Sequence, residues 1–334
     1  MVLGTQFVSW ITSRDTMGTM SPTLKRRLGL FIAGISGGAV LALFAKVALF
    51  PRVPREVAVA CPACAGTPAP KVPSEPSEEG HARLGPPGQG DWRARNPQEK
   101  AQSFEKYLAD GANRKCGHRT TFYIQPLATP PARRRFEPRA HEQYERAVGL
   151  MREYGEIFFN VPVRVLDPIP MFEETYDKAR GQCDAGRVLD LLADRLPPDA
   201  LVYIGITEDD LWADDLNFVF GLGSLARRAG VYSLRRYHTK DETLFHRRAL
   251  KLMAHEAGHI FSVEHCVTWR CVMQGANSLY EDDTHPMYLC PVDLRKLEWN
   301  TGFDRAERYR KLLDFYRRLG LKEDAEWVEK LISR

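Results

Sequence analysis

The 334-residue chain has almost no excess of charge of either sign: 47 Lys and Arg stand against 43 Asp and Glu, a formal net charge of +4. Arginines do cluster, at Arg133-Arg134-Arg135 and Arg235-Arg236. Neither cluster comes with aromatic or groove-reading partners, so a nucleic-acid partner is excluded. Internal repeats are also lacking. Cysteine is sparse, with seven in the whole chain. Several sit at metal-like spacing, which suits a reducing compartment where disulfides are rare.

One long run has no charge, residues 28–45, preceded by Lys25-Arg26-Arg27. With Lys46 snorkelling, the apolar stretch extends to Phe50 and is long enough to span a bilayer. Residues 1–27 therefore read as a basic tail and 28–50 as a transmembrane anchor or signal segment. The length of the run and the absence of a small-residue cleavage site favour an uncleaved anchor. A single anchor with a basic front more often exports the chain beyond it, so the expected protein is membrane-anchored with an exported domain.

Residues 51–100 are rich in Pro, Gly, Ala, Glu and Ser. Such composition buries too little apolar surface to offset chain entropy, and it reads as a disordered linker. Cys61 and Cys64 form a C-x-x-C within it, without the strand-to-helix context of a redox motif. Cys116 and Cys183 have no spacing partner and read as buried apolar residues.

Residues 101–334 are long enough for one domain with a sizeable core. Strands are expected at 120–124, 161–165, 200–206, 217–222 and 231–234, with helices at 141–158 and 189–196. Thr239-Lys240-Asp241-Glu242 reads as a capping box that opens the next helix. Residues 303–332 read as amphipathic helix broken near Gly320. The class is α/β.

That capped helix carries His255-Glu256-Ala257-Gly258-His259, and His265 comes six residues later. Residues four apart share a helix face, so His255 and His259 can direct two imidazoles at one metal. His265 past the helix end completes a three-histidine zinc site with a position left for water. Glu256 stands beside that water as general base.

Cys266, Cys271, Met273 and Cys290 come next, the last in Cys290-Pro291-Val292-Asp293. The whole run resembles the archaemetzincins, zinc metallopeptidases with the pattern H-E-x-x-H-x-x-G-x-x-H-C, then C-x-M, then C-x-x-C. The resemblance extends over about residues 117–332, through Leu216 to Leu225, Gly230 to Leu234, and Leu289 to Leu297. It implies a metzincin-like twisted mixed sheet, an active-site helix beneath it and C-terminal helices. It also implies one catalytic zinc and a second, structural zinc on Cys266, Cys271 and Cys290, with a methionine turn at Met273 supporting the imidazoles.

Two positions depart from the pattern. Ser262 replaces a glycine at the helix end, where a Cβ costs roughly 1–2 kcal/mol in a left-handed turn. Asp293 replaces the last cysteine, which implies either a Cys₃Asp site or a weakened or missing second zinc. A disulfide among Cys266, Cys271 and Cys290 competes with metal ligation.

The implied function is a monomeric zinc metallopeptidase acting on peptides or proteins. The alternative is a catalytically silent zinc protein that binds a peptide or partner in the same cleft. Asn277, Tyr280 and Tyr288 are candidate substrate contacts. Glu281, Asp282 and Asp283 are candidate anchors for a free amine. An edge strand at 217–223 is the expected track for substrate.

Overall fold

The eight residues Ala200–Thr207 are buried along their whole length. A strand buried on both faces belongs in the middle of a parallel sheet, and this one lies there. The structure is a computed structural model, which describes residues 64, 66–133, 138–214 and 216–333. The expected tail at 1–27 and anchor or signal segment at 28–50 lie outside these residues. Among the described residues no helix is long and apolar enough to cross a membrane.

The strands are β1 (Thr121–Ala128), β2 (Val163–Val165), β3 (Ile169–Pro170), β4 (Tyr176–Asp177), β5 (Gln182–Asp184), β6 (Ala200–Thr207), β7 (Leu211–Trp212), β8 (Gly221–Ser224) and β9 (Ala229–Ser233). The helices are α1 (Trp92–Arg95), α2 (Phe104–Ala109), α3 (Pro138–Phe159), α4 (Ala185–Ala193), α5 (Glu242–Ile260), α6 (Leu279–Asp283), α7 (Pro291–Thr301), α8 (Arg305–Leu319) and α9 (Lys322–Ile332). The main sheet runs β2-β1-β6-β9-β8, with β3 also paired to β1. All its pairings are parallel except β8 with β9. It is the expected mixed α/β sheet. The pair β4–β5 and strand β7 form a smaller sheet that no sequence alternation signalled.

Each face of the sheet carries its own core. Phe122, Ile124, Val202, Ile204 and Ile206 join the cluster that contains the apolar faces of α3, α5 and the C-terminal helices. Tyr123, Leu127, Tyr203 and Val231 join a second cluster with Val188, Leu189 and Leu192 of α4. The period-two alternation along β1 produces this division. The C-terminal helices break where expected: Gly320 takes a left-handed φ of 71° and caps α8.

The disordered-linker reading of 51–100 is corrected over its described part. Residues 66–100 follow a fixed path over the domain as a strap. Arg114 donates to the carbonyl of Thr67 at 2.9 Å, Arg295 to that of Pro73 at 3.2 Å and Trp327 to that of Gly80 at 3.0 Å. Backbone bonds from Leu84 to Thr268 and from Arg270 to Ala82, both 2.8 Å, stitch the strap to the loop after α5. The folded unit thus begins before residue 101. Cys64 and Cys116 are joined by a disulfide, with Cα atoms 5.2 Å apart. This corrects the reading of Cys116 as an unpartnered apolar residue and gives Cys64 a partner other than Cys61.

Candidate metal centre

Helix α5 starts two residues later than the capping box implies. Asp241, rather than Thr239, is the N-cap, and its carboxylate accepts from the amide of Leu244 at 3.1 Å. From Ala249 to Ile260 every residue is buried. A helix sealed on all sides must pair any charge it carries. Lys251 does so with Asp282 on α6, at 3.1 Å.

The far end of α5 closes in a Schellman turn. Ser262 donates to the carbonyl of His259 at 2.7 Å and Val263 to that of Gly258 at 3.0 Å. This turn needs a left-handed residue, and Ser262 supplies it with φ 71° in place of the family's glycine. Its Oγ accepts from the Asn113 amide at 2.9 Å and its carbonyl from Gln102 at 3.0 Å, which holds the residue in that conformation.

The turn brings the third imidazole back over the helix. Ring centroids lie 4.6 Å apart for His255 and His259, 4.7 Å for His259 and His265, and 5.4 Å for His255 and His265. One ring nitrogen from each falls within 4.8 Å of the others. His255 Nδ1 lies 2.8 Å from the Val272 carbonyl and His259 Nδ1 lies 2.7 Å from the Val263 carbonyl. A carbonyl only accepts, so both Nδ1 atoms carry the proton. The Nε2 atoms then face each other at 3.0 Å as two lone pairs. Burial, reinforced by the other imidazoles, pushes His255 down to about 3 and His259 well below its ordinary range. Neither ring resolves this repulsion by taking a proton. The three nitrogens therefore fit a cation such as zinc.

His265 sits differently. Its Nδ1 lies 3.1 Å from Oε1 of Glu99, a residue of the strap. Burial tends to raise the Glu99 carboxyl, but the bonds from His265 and Trp92 hold it below the usual range.

Glu256 is fully buried, and neither carboxylate oxygen has a hydrogen-bond partner. Burial pushes its pKa well up from the usual carboxylate range, with Asp282 adding to the effect. Met273 packs against α5 at Gly258. Its Sδ is 2.5 Å from where a Cβ on Gly258 would stand. Gly258→Ala is therefore expected to lower stability by about 1–3 kcal/mol through overpacking against the methionine. Urea denaturation checks this; an unchanged midpoint would mean that Met273 moves aside freely.

Directly after His265, Cys266 begins a second cluster. The ligand atoms of Cys266, Cys271, Cys290 and Asp293 all lie within 4.8 Å of one another. Cys266 and Cys290 sulfurs are 3.7 Å apart, and Asp293 Oδ2 is 3.3 Å from the sulfurs of both Cys271 and Cys290. All three cysteines are free thiols, so the competing disulfide does not form. Hydrogen bonds with Cys271 and Cys290 hold the Cys266 thiol well below its ordinary range. Cys290 caps α7, which places Asp293 in the first turn and Lys296 one turn on. Lys296 Nζ lies 2.7 Å from Asp293 Oδ1, with both side chains buried. The amide of Cys266 donates to the Met273 carbonyl at 2.8 Å, joining the two clusters.

Several candidates have other duties. Glu281 accepts from the amides of Trp92 and Asn277, both at 2.7 Å. Asp282 pairs with Lys251 and Asp283 with Arg248. The acidic run is thus built into the fold, not displayed to a free amine. Tyr288 stacks on Trp327 at 3.7 Å, and Tyr280 is 84% exposed. Glu99, Trp92 and Lys296 escaped the sequence reading. Glu99 is 166 residues from its partner and sits in a polar stretch without periodicity, so no local signal marks it.

Comparison with known proteins places this geometry in context. The profile of peptidase family M54 matches residues 148–299. Archaemetzincin-2 of Homo sapiens is 31% identical over 262 residues, covering 67% of this chain and 71% of that protein. Archaemetzincin of Pyrococcus furiosus is 35% identical over 153 residues, covering 43% of this chain and 80% of that protein. The crystal structure of archaemetzincin from Methanopyrus kandleri aligns with a TM-score of 0.45 at 29% identity, over 55% of this chain and 97% of that one.

Proposed function

The chain belongs to peptidase family M54, the archaemetzincins, and is a zinc metallopeptidase; from that premise we propose that His255, His259 and His265 carry its catalytic zinc and that Glu256 is its general base. The observation that carries the ligand assignment is the pair of Nε2 lone pairs at 3.0 Å, each fixed by an Nδ1 proton given to a carbonyl. Zinc at such a site polarises a scissile carbonyl and lowers the pKa of water towards ~7. Glu256 takes the proton of the attacking water on a carboxylate oxygen and hands it to the nitrogen of the leaving amine. Its burial without partners makes it a stronger base than a solvated carboxylate. Met273 supports the imidazoles from below.

Peptide substrate lies along β8. This strand is the antiparallel edge of the main sheet, and among the described strands it pairs only with β9. Its outer side can take an extended chain by main-chain hydrogen bonds. The strand is shorter and later than the 217–223 segment expected for this role.

Cys266, Cys271, Cys290 and Asp293 form a second zinc site, weaker than one of four thiolates. The catalytic unit includes the strap as well as residues 101–334. Residues 28–50 anchor the protein, and the Cys64–Cys116 disulfide supports an exported domain, because disulfides persist in oxidising compartments.

A catalytically silent binding protein would have no use for a buried base beside its metal. The test is a peptide library offered to the protein as isolated, after chelation, and after return of zinc. Cleavage that disappears on chelation and returns with zinc is the expected result. Binding of peptides with only background cleavage in all three states would leave the silent reading standing.

A further inference from the structure

The three imidazoles of the centre are not held alike. His255 and His259 give their Nδ1 protons to carbonyls of the domain itself, at Val272 and Val263. His265 alone turns its Nδ1 to a carboxylate, and that carboxylate belongs to the strap. We propose that Glu99 is a positioning residue for the metal centre, whose negative charge fixes and strengthens His265 as a ligand and so makes metal affinity depend on the strap. The proposal rests on the three-histidine assignment and extends it to a residue far outside the segment, beginning at 148, that the family profile spans.

The geometry around Glu99 is that of a fixed group. Oε1 faces His265 Nδ1 at 3.1 Å and Oε2 accepts from Trp92 Nε1 at 2.9 Å. The Trp92 ring stands edge-on to the His265 ring at 5.1 Å between centroids. Trp92 is itself pinned, because its amide donates to Glu281 at 2.7 Å. Its indole also presses on the loop after Met273, where a Cβ on Gly275 would stand 2.4 Å from Nε1. The strap is held to the domain along its length by Arg114, Arg295 and Trp327. Both oxygens of Glu99 are therefore committed, one to the ligand and one to the residue that packs beside it.

A carboxylate at this place has three physical consequences. It accepts only, so it keeps the His265 proton on Nδ1 and leaves Nε2 free as a donor to metal. It fixes the ring plane on a loop residue that no helix holds. It also raises the donor strength of the imidazole, and loss of such a partner typically costs 10–100-fold in metal affinity. A carbonyl at the same place would give the first two effects but a weaker third.

The test uses cobalt(II) as the probe, titrated into the metal-free full chain against a competing chelator. The d–d absorption of cobalt on nitrogen ligands is distinct from the charge-transfer bands of the thiolate cluster, so the two sites are read separately. Glu99→Gln keeps the size of the side chain and one acceptor oxygen, and is expected to weaken cobalt binding at the histidine site by roughly 10–100-fold. Glu99→Ala should weaken it at least as much, and His265→Ala should abolish the histidine-site spectrum. If Glu99→Ala fails to fold, Glu99→Gln carries the measurement alone. Affinity of Glu99→Gln within about twofold of wild type, with His265→Ala still abolishing the spectrum, overturns the role of Glu99 and leaves the three-histidine assignment intact. Retention of the spectrum by His265→Ala removes both.

Discussion

Replacing Glu256 with glutamine should lower kcat by about 10²–10⁴-fold, the usual contribution of a general base, while bound zinc remains at the wild-type level. Glutamine keeps the shape of the side chain but cannot take a proton from water. His255, His259 and His265 hold their own Nδ1 partners, none of which involves Glu256. The metal site should not notice the change. Stability should move the other way from activity. Both oxygens of Glu256 are buried without a partner, and burial pushes its pKa well up from the usual carboxylate range. In the metal-free protein the unfolded chain releases this proton near pH ~4.3 while the folded chain retains it, so wild-type stability falls as pH rises above that point. Glutamine has no such proton. The melting temperature of metal-free Glu256→Gln should therefore exceed that of wild type by a margin that grows as pH rises from about 4. Initial rates on a library-selected peptide, metal analysis and melting curves at several pH values make the test. Turnover within tenfold of wild type would falsify the assignment of the base.

The helix that carries His255 and His259 and the turn that carries His265 were readable because each rests on local rules. Four-residue spacing fixes the face, and the left-handed position past the helix end fixes where His265 emerges. Ser262 occupies that position with φ 71°, although a glycine is usual there. The sheet was readable in the nearly continuous apolar run at 200–206, which forms the buried strand β6. The small strands β4, β5 and β7, of two or three residues each, are too short to show any periodicity.

The strap was misread for a different reason. Its composition is that of a disordered tether because the domain recognises mainly its backbone. Arg114, Arg295, Arg305 and Trp327 reach out to carbonyls of Thr67, Pro73, Ser74 and Gly80. Carbonyls are present whatever the side chains, so proline and glycine there say nothing about order. The strap side chains that do make contacts, Glu75 with Arg295, His81 with Tyr288 and Trp327, Arg83 with Trp269, and Trp92 and Glu99 at the metal centre, have partners remote in the chain. The Cys64–Cys116 pairing is equally invisible, since topology and not spacing brings the two together.

Asp293 stands where the pattern C-x-x-C, which Cys290 opens, would have its last cysteine. Its carboxylate serves two partners. Oδ2 sits 3.3 Å from the sulfurs of Cys271 and Cys290, while Oδ1 is held at 2.7 Å by Lys296. A carboxylate is a harder ligand than thiolate, and Lys296 already neutralises part of its charge. Zinc prefers sulfur in a compact closed site, so the second zinc should be held less tightly than by four cysteines. Mild chelation should strip wild type to one zinc per chain. Asp293→Cys should retain two under reducing conditions and melt higher with zinc present, because metal that binds only the folded state adds to its stability. Asp293→Ala tests the other partner. Lys296 is 1% exposed, and without Asp293 it becomes an unpaired buried charge, at a cost of about 3–5 kcal/mol. That variant should lose the second zinc as well. Cys266 adjoins His265 and is tied to Met273, so a loosened second site should also weaken the first. If wild type keeps two zincs through the same chelation, Asp293 is a full ligand despite Lys296. If Asp293→Ala melts within a degree or two of wild type, Lys296 finds another partner and the coupling of the two sites through this helix turn is wrong.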